Sequence, residues 1–271
     1  QRPPAPNFSL GSAGRLQECG TVTQIWAHRG ASVDAPENTL PAFALALGQG
    51  ADGVELDVQL TRDDEVVVIH DETLERTTTG RGWVADHSWA DLRALDASGR
   101  RPGFAGTPIP LLAEVLELLA DSDALANVEL KTDAMPYHGI EERVLEVVEA
   151  SGVGDRVVFS SFNHHTLRTL RRLGAPQPLG ALLSDRLLKP WQYAAGIHVA
   201  AIHPPVRAVT RKFVTKSHAR GLKVNAWTAD TERDLRRLLA YGVDAIITDV
   251  PELAVQLRDQ HLRAAAASAR R

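Results

Sequence analysis

An α/β fold, a (β/α)8 TIM-type barrel with a small insertion near the barrel mouth, is predicted by three features of the chain. Short β-rich runs alternate with helical patterns from about residue 23 onward. Those runs are largely apolar, as strands of a parallel sheet covered on both faces must be. The units number about eight, which favours a closed barrel over an open sheet. With 271 residues, 44% of them hydrophobic and 24% charged, the chain suits one large globular domain.

The elements follow in order. Residues 1–22, opening QRPPAPNFSLGSAG, are rich in Pro, Gly and Ser and predict a flexible leader. The barrel domain occupies residues 23–262. Its strand candidates are TQIWAHR, GVELDVQL, VVVIHD, NVELK, RVVFSSF, LGALLS, AAIHPP, KVNAWT and DAIITD. Only TRDDE separates the second from the third, far too short for a parallel crossover, so these two form a hairpin. Pairing with residue numbers summing to about 126 then sets His70 opposite Leu56. Removing VVVIHD from the barrel leaves eight strands. Helical spacing joins Leu112, Val115, Leu116 and Leu119, then Ile140, Val144, Val147 and Val148. A third helix carries Leu235, Leu238 and Leu239, with Asp230 or Thr231 as its cap and Gly242 as its stop. Residues 72–110, rich in Thr, Gly, Arg and Asp, break the rhythm with one short helical pattern, SWADLRAL. They form the insertion, and long loops of this kind tend to be functional. Residues 263–271, ending AAAASARR, predict a frayed tail.

A net charge of −4 exerts no global pull on nucleic acid, so any phosphate binding must be local. The single cysteine, Cys19, excludes an internal disulfide framework and a multi-cysteine metal site. No run is long and apolar enough to span a bilayer, and no strong amphipathic docking helix is visible. Composition gives no reason to expect nucleic acid or stable membrane association, which leaves a small-molecule substrate as the expected partner; the oligomeric state is left open. A cytoplasmic location is the default, with the mature form of an exported protein as the alternative.

In such barrels chemistry sits where strands end and βα loops begin. His28 and Arg29 end the first strand, where a core has no use for them. Glu55 and Asp57 lie two apart on the second, as do Glu129 and Lys131 on the next barrel strand, so each pair shares one face. The hairpin returns His70 and Asp71, and later strand ends offer Ser160, Ser161, His203, Trp227, Thr248 and Asp249. Three carboxylates in one mouth repel unless something positive lies among them. Their oxygens suit a hard divalent cation, Mg²⁺ or Ca²⁺, better than zinc. Arg29 and Lys131 are donors of the kind that hold phosphate oxygens. One histidine accepts a proton while the other gives one near neutral pH. Each residue alone has a structural reading as a salt bridge or a hydrogen-bonded strand end; together they describe phosphoester cleavage. Glu37 and Asn38, in APENT, shape a turn and cap the next helix, and Asn38 is close enough in sequence to touch the site. His164 and His165 follow the helix cap Asn163 and are expected at a solvated helix start. His203 either faces the site or shapes the turn before two prolines, and Trp227 either walls a pocket or closes the core. Ser161 has neither an adjacent base nor a nucleophile elbow.

The blocks AHRGASVDAPENTLPAF, GADGVELDVQLTRDDEVVVIHDETLERTTTG, NVELK, FSSF, VNAWT and AIITDVPE resemble the glycerophosphodiester phosphodiesterase family, in order and over nearly the whole chain past the leader. The resemblance implies a TIM-type barrel with an inserted segment matching residues 72–110. It implies Glu55, Asp57 and Glu129 as ligands of one divalent cation, Ca²⁺ or Mg²⁺ with Mn²⁺ a further option. It makes His28 and His70 the acid/base pair, Arg29 and Lys131 phosphate contacts, and Trp227 a wall of the substrate pocket. Near Ala229 and Asp230 the chain departs from the family pattern. The implied reaction is metal-dependent hydrolysis of glycerophosphodiesters, such as glycerophosphocholine or glycerophosphoethanolamine, to glycerol 3-phosphate and an alcohol. Water or the substrate's own glycerol hydroxyl serves as nucleophile. Two other readings stand beside it: a lysophospholipase D, with Trp83, Trp89, Leu92, Leu95 and Phe104 as an apolar entrance, and a barrel that binds phosphorylated ligands without turnover.

Overall fold

The computed structural model describes residues 22–270, so the leader expected over residues 1–22 lies outside the described residues except for Val22. Nine strands form one sheet. They are β1 (Gln24–His28), β2 (Gly53–Leu60), β3 (Val66–Val68), β4 (Leu125–Leu130), β5 (Val157–Ser161), β6 (Leu179–Leu182), β7 (Ala201–His203), β8 (Lys223–Ala226) and β9 (Ala245–Thr248). All neighbours are parallel except β2 and β3, and pairing of β1 with both β2 and β9 closes an eight-stranded barrel. The β2–β3 hairpin pairs Val58 with Val68 and Leu60 with Val66, the register summing to 126. The ladder ends there, with the Ile69 N–H donating to the Asp57 carbonyl at 3.0 Å, so His70 stands just past the strand on the expected side.

Helices cover the barrel outside: α1 (Leu40–Gly48), α3 (Leu112–Ala120), α4 (Ile140–Ala150), α5 (His164–Arg172), α6 (Pro190–Gly196), α7 (Arg211–His218), α8 (Glu232–Tyr241) and α9 (Pro251–Ala269), with α2 (Trp89–Arg93) in the insertion. Their apolar stripes are the ones the spacing marks. In α3 the buried residues are Leu112, Val115, Leu116 and Leu119. In α4 they are Ile140, Val144 and Val148, with Val147 only partly covered. Thr231 caps α8 by accepting from the Asp234 N–H, and Gly242 ends it at φ 69°, a conformation glycine adopts without a Cβ penalty. The C-terminal helix continues to Ala269 instead of stopping near residue 262. Its last turns are exposed, and a run of alanines has the strongest helix propensity of any residue. Among the described residues no helix is long and apolar enough to cross a membrane.

The insertion carries its own small core. Leu74, Val84, Leu92, Ala97 and Ile109 pack on Val67 and Ile69 of the hairpin, with Trp89 and Leu95 against them. The apolar entrance expected from Trp83, Trp89, Leu92, Leu95 and Phe104 is therefore mostly filled: Leu92 is fully buried, Trp89, Leu95 and Phe104 are half-buried, and of the five only Trp83 is exposed. Arg101 fastens the insertion to the loop after β1 by donating to the carbonyls of Ser32 (2.6 Å) and Val33 (2.7 Å).

Candidate active site

The parallel register of β2 and β4 sets Asp57 beside Glu129, and Glu55 lies on the same face two residues earlier. All three carboxylates are buried. One oxygen from each lies within 4.8 Å of the others. Oxygens sharing a hard divalent cation stand up to about 4–5 Å apart, so one ion fits this donor set. Charge points the same way. Burial pushes the Glu55 carboxyl well above the usual carboxylate range, and the charges of Asp57 and Glu129 push it further. Glu129 is pushed up to about 7 by burial and by Asp57, in spite of Lys131. Burial works against Asp57 too, but Arg29, His70, Lys131 and a hydrogen bond from Asn38 outweigh it and hold Asp57 below its ordinary value. Three ionised carboxylates here call for more positive charge than the side chains supply.

Two cations flank the triad. The chain turns sharply after β1: Arg29 has φ 57° and Gly30 φ 85°. A Cβ at Gly30 would lie 2.6–2.8 Å from Ala42 atoms, so only glycine admits this turn against α1. The left-handed backbone of Arg29 costs on the order of 1 kcal/mol, and such strain persists where the surroundings hold it. Here the Arg29 N–H donates to the Glu55 carbonyl (2.9 Å), its guanidinium donates to Glu37 (2.9 Å), and its Nε lies 3.3 Å from Asp57. Asn38, also left-handed at φ 56°, donates its amide to Asp57 at 2.9 Å. It is a site residue, as its place in APENT allowed. Lys131 Nζ donates to Glu129 at 3.1 Å and lies 3.4 Å from His70 Nε2 and 3.9 Å from Asp57.

Each histidine is held from behind by a carboxylate. His28 Nδ1 is 2.6 Å from Asp249 Oδ1, which also accepts from the Ser32 hydroxyl (2.9 Å). His70 Nδ1 is 2.6 Å from Asp71 Oδ1. A ring donating Nδ1–H to a carboxylate leaves Nε2 for the reacting proton, and the geometry serves both rings alike. His28 Nε2 stands 3.9 Å from Glu55, and His70 Nε2 faces Lys131. A cavity of about 150 Å³ brings together His28, Arg29, Glu55, His70, Glu129 and Trp227. Asp57 and Lys131 are not among the residues that line it. Trp227 packs edge-on against Phe162, centroids 5.6 Å apart, and its indole N–H donates to the His203 carbonyl. It thus walls the pocket and caps the core at once.

Sequence reasoning placed Asp71 and Asp249 at strand ends without giving them a role, and it missed Arg76. Arg76, from the insertion, donates to both oxygens of Asp71 (2.5 and 2.9 Å) and both of Glu37 (2.7 and 2.8 Å). One guanidinium therefore ties the partner of His70 to the partner of Arg29. The Arg76 hydrogen bonds, foremost, hold Asp71 down at about 2. Adjacency in HD and the strand-end position in ITD were the available signals for Asp71 and Asp249. Nothing in the spacing marks Arg76. Asp230, where the chain departs from the family pattern, accepts from the Asp249 N–H (2.8 Å) and fixes that loop.

Other candidates resolve into structure. His203 is fully buried inside the barrel and accepts from Asn225 at 2.9 Å; burial pushes it down to about 3. Ser161 donates to the Leu130 carbonyl and offers no nucleophile. His164 begins α5 as expected, with Asn163 capping, but bridges the Leu182 carbonyl and the Tyr193 hydroxyl instead of lying free in solvent.

Residues 28–253 match the model of the glycerophosphoryl diester phosphodiesterase family. A glycerophosphodiester phosphodiesterase of Caldanaerobacter subterraneus subsp. tengcongensis is 42% identical over 237 residues, covering 87% of this chain and 97% of that protein. Among solved structures, a glycerophosphodiester phosphodiesterase from Agrobacterium tumefaciens superposes with a TM-score of 0.77 at 32% identity, over 86% of this chain and 99% of that one. A phosphodiesterase of Oleispira antarctica, solved in complex with the product sn-glycerol-3-phosphate, superposes with a TM-score of 0.79 at 31% identity, over 88% and 97%.

Proposed function

Because the chain belongs to the glycerophosphoryl diester phosphodiesterase family, we propose that its cavity hydrolyses glycerophosphodiesters, such as glycerophosphocholine or glycerophosphoethanolamine, to glycerol 3-phosphate and an alcohol. The observation that carries this reading is the convergence of two carboxylate-backed histidines and Arg29 on one small cavity beside a buried carboxylate triad. Glu55, Asp57 and Glu129 would hold one divalent cation, Ca²⁺, Mg²⁺ or Mn²⁺. Bound there, it supplies Lewis-acid stabilisation of charge on the phosphoryl oxygens.

The remaining work falls to the side chains. Arg29 faces the cavity and orients the phosphodiester through its forked donors, held in place by Glu37 and Asp57. Lys131 keeps a positive charge at the edge of the site, where it offsets negative charge developing on phosphorus-bound oxygen. One histidine takes the proton of the attacking hydroxyl at Nε2 while the other delivers a proton to the leaving oxygen. Asp249 and Asp71 hold the rings through Nδ1 and stabilise whichever ring is cationic. Trp227 and Phe162 close the apolar side of the pocket and limit water.

The test is to strip the protein with EDTA, supply glycerophosphocholine, restore Mg²⁺, Ca²⁺ and Mn²⁺ separately, and measure glycerol 3-phosphate. Product that forms only with added cation is expected. Absence of product with every cation, with lysophospholipids as well as glycerophosphocholine, would leave a barrel that only binds.

A further inference from the structure

A concavity larger than the catalytic one lies elsewhere on the molecule. The loop after β6, α6 and α7 enclose a groove of about 630 Å³ floored by Pro190, Trp191, Ala208 and Phe213. At its rim two adjacent leucines face solvent, Leu188 97% exposed and Leu187 49%. Around the same groove stand Arg186, Lys189, Lys212, Lys216 and Arg220. None of the five lies in a salt bridge among the described residues. The one carboxylate in the lining, Asp185, lies 3.9 Å from Arg207. Helix α7, RKFVTKSH, has no acidic residue at all. In a chain of net charge −4, this face gathers positive charge against the overall sign.

We propose that this face docks the protein reversibly on anionic lipid bilayers, with Leu187 and Leu188 entering the headgroup–acyl boundary and the surrounding lysines and arginines meeting lipid phosphates. The combination of chemistries selects the occupant. A soluble polyanion would use the cations but leave Leu187 and Leu188 in water. A bilayer uses both, since apolar tips and long cationic stems partition to adjacent depths of one interface. Position agrees. The loop begins directly after β6, whose last residue, Leu182, lines the catalytic cavity. His164 then links the Leu182 carbonyl (2.9 Å) to the Tyr193 hydroxyl of α6 (2.7 Å), so groove and cavity wall are joined. Docking would bring the barrel mouth near the headgroup layer. The absence of an amphipathic docking helix hid this face from the sequence, because three of its five cations, Lys212, Lys216 and Arg220, lie about 25 residues or more beyond its apolar tip.

The test is flotation of the full chain with vesicles of phosphatidylcholine alone and of phosphatidylcholine with phosphatidylglycerol. Binding to the anionic vesicles only, weakened by salt, is expected. Lys212→Glu with Lys216→Glu should weaken partitioning about five-fold per charge removed, and more for reversal. Leu187→Ser with Leu188→Ser should cost roughly ten-fold or more. All variants should keep the parent's thermal midpoint and its turnover of a soluble diester, since none touches the catalytic cavity. No flotation with anionic vesicles would overturn the proposal. So would flotation indifferent to both pairs of substitutions. Retention on soluble polyglutamate that ignores the leucines, without flotation, would assign the face to an acidic macromolecule and overturn it equally. Flotation is read without turnover, so it stands or falls apart from the catalytic reading.

Discussion

Arg76→Gln separates positioning from stability. The substitution leaves Asp71 and Glu37 without the guanidinium that makes four hydrogen bonds to them. Asp71 is held at about 2 against an ordinary 3.8, which converts to about 2.4 kcal/mol if nothing screens it. Arg76 is 47% exposed, so solvent reduces this to about 1 kcal/mol. That increment is present above about pH 4 and fades as the pH falls toward 2, because the depressed carboxyl must then take up its proton. At neutral pH its loss lowers the thermal midpoint by about 2–4 °C in a chain this long. Catalysis should suffer far more. With Asp71 free to swing, His70 loses its fixed azimuth, and misplacement of a reacting group by about 1 Å costs on the order of 100-fold. The expected result is kcat down by roughly two orders of magnitude, a few-fold rise in KM and a midpoint lowered by only about 2–4 °C. Arg76→Lys restores the charge but cannot fork across two carboxylates, so it should recover about ten-fold at most. Steady-state kinetics on a soluble glycerophosphodiester, alongside calorimetry, makes the comparison. If kcat stays within about three-fold of the parent while the midpoint drops, Arg76 merely braces the insertion and the positioning argument is wrong.

Three further outcomes follow from the same geometry. His28→Ala and His70→Ala should each lower kcat by at least about 100-fold with little change in KM, and a variant that kept parental kcat would remove that ring from the acid–base pair. Glu55→Gln should raise the cation concentration needed for half-maximal activity by ten-fold or more; an unchanged metal titration would exclude Glu55 as a ligand. The buried neutral His203, pushed down to about 3 from 6.5, makes the fold lose about 2 kcal/mol between pH 7 and pH 5, since the unfolded chain binds the extra proton across that window. In His203→Gln, where an acceptor for Asn225 is kept, urea denaturation at the two pH values should show that much less pH dependence.

Legibility in the sequence divides along physical lines. Strand count, hairpin register and the stripes of α3, α4 and α8 depend on local periodicity and on loop lengths, and both are written in neighbouring residues. Glu55, Asp57, Glu129 and Lys131 were legible for a related reason: a charged residue two positions from another in an otherwise apolar run has few structural uses. Asn38 lay at the limit, since a residue in a turn is visible as a turn former before it is visible as a ligand to Asp57. Arg76 was illegible because its partners, Asp71 and Glu37, lie 5 and 39 residues away and meet only when the insertion folds back. His203 was ambiguous because a strand-end histidine points into the barrel or out of it according to register, and the following prolines mask that. The insertion's tryptophans and leucines misled for the opposite reason, because a segment long enough to build its own core consumes apolar residues that elsewhere would mark a binding surface.

Charge around the cavity explains why the proposed cation and the proposed substrate should need each other. Six carboxylates, Glu37, Glu55, Asp57, Asp71, Glu129 and Asp249, are met by three permanent cations, Arg29, Arg76 and Lys131. The deficit is three charges before a phosphodiester brings a fourth. With all six carboxylates ionised, a divalent ion and one protonated histidine would offset three of those four charges, and a monovalent ion with the same histidine only two. The diester's charge should therefore be repelled from the cation-free site and drawn to the loaded one, and linkage requires the converse: phosphate ligand should tighten the cation by the same factor. Calorimetric titration of Ca²⁺ or Mg²⁺ into the protein, with and without saturating glycerol 3-phosphate, should show a dissociation constant at least about five-fold lower when the phosphate is present, the low end of ordinary coupling energies. Reversing the order of addition should give the same ratio. Equal constants in both titrations would mean that cation and phosphate occupy electrostatically independent sites, and the triad beside Arg29 would then not be where the phosphodiester is cleaved.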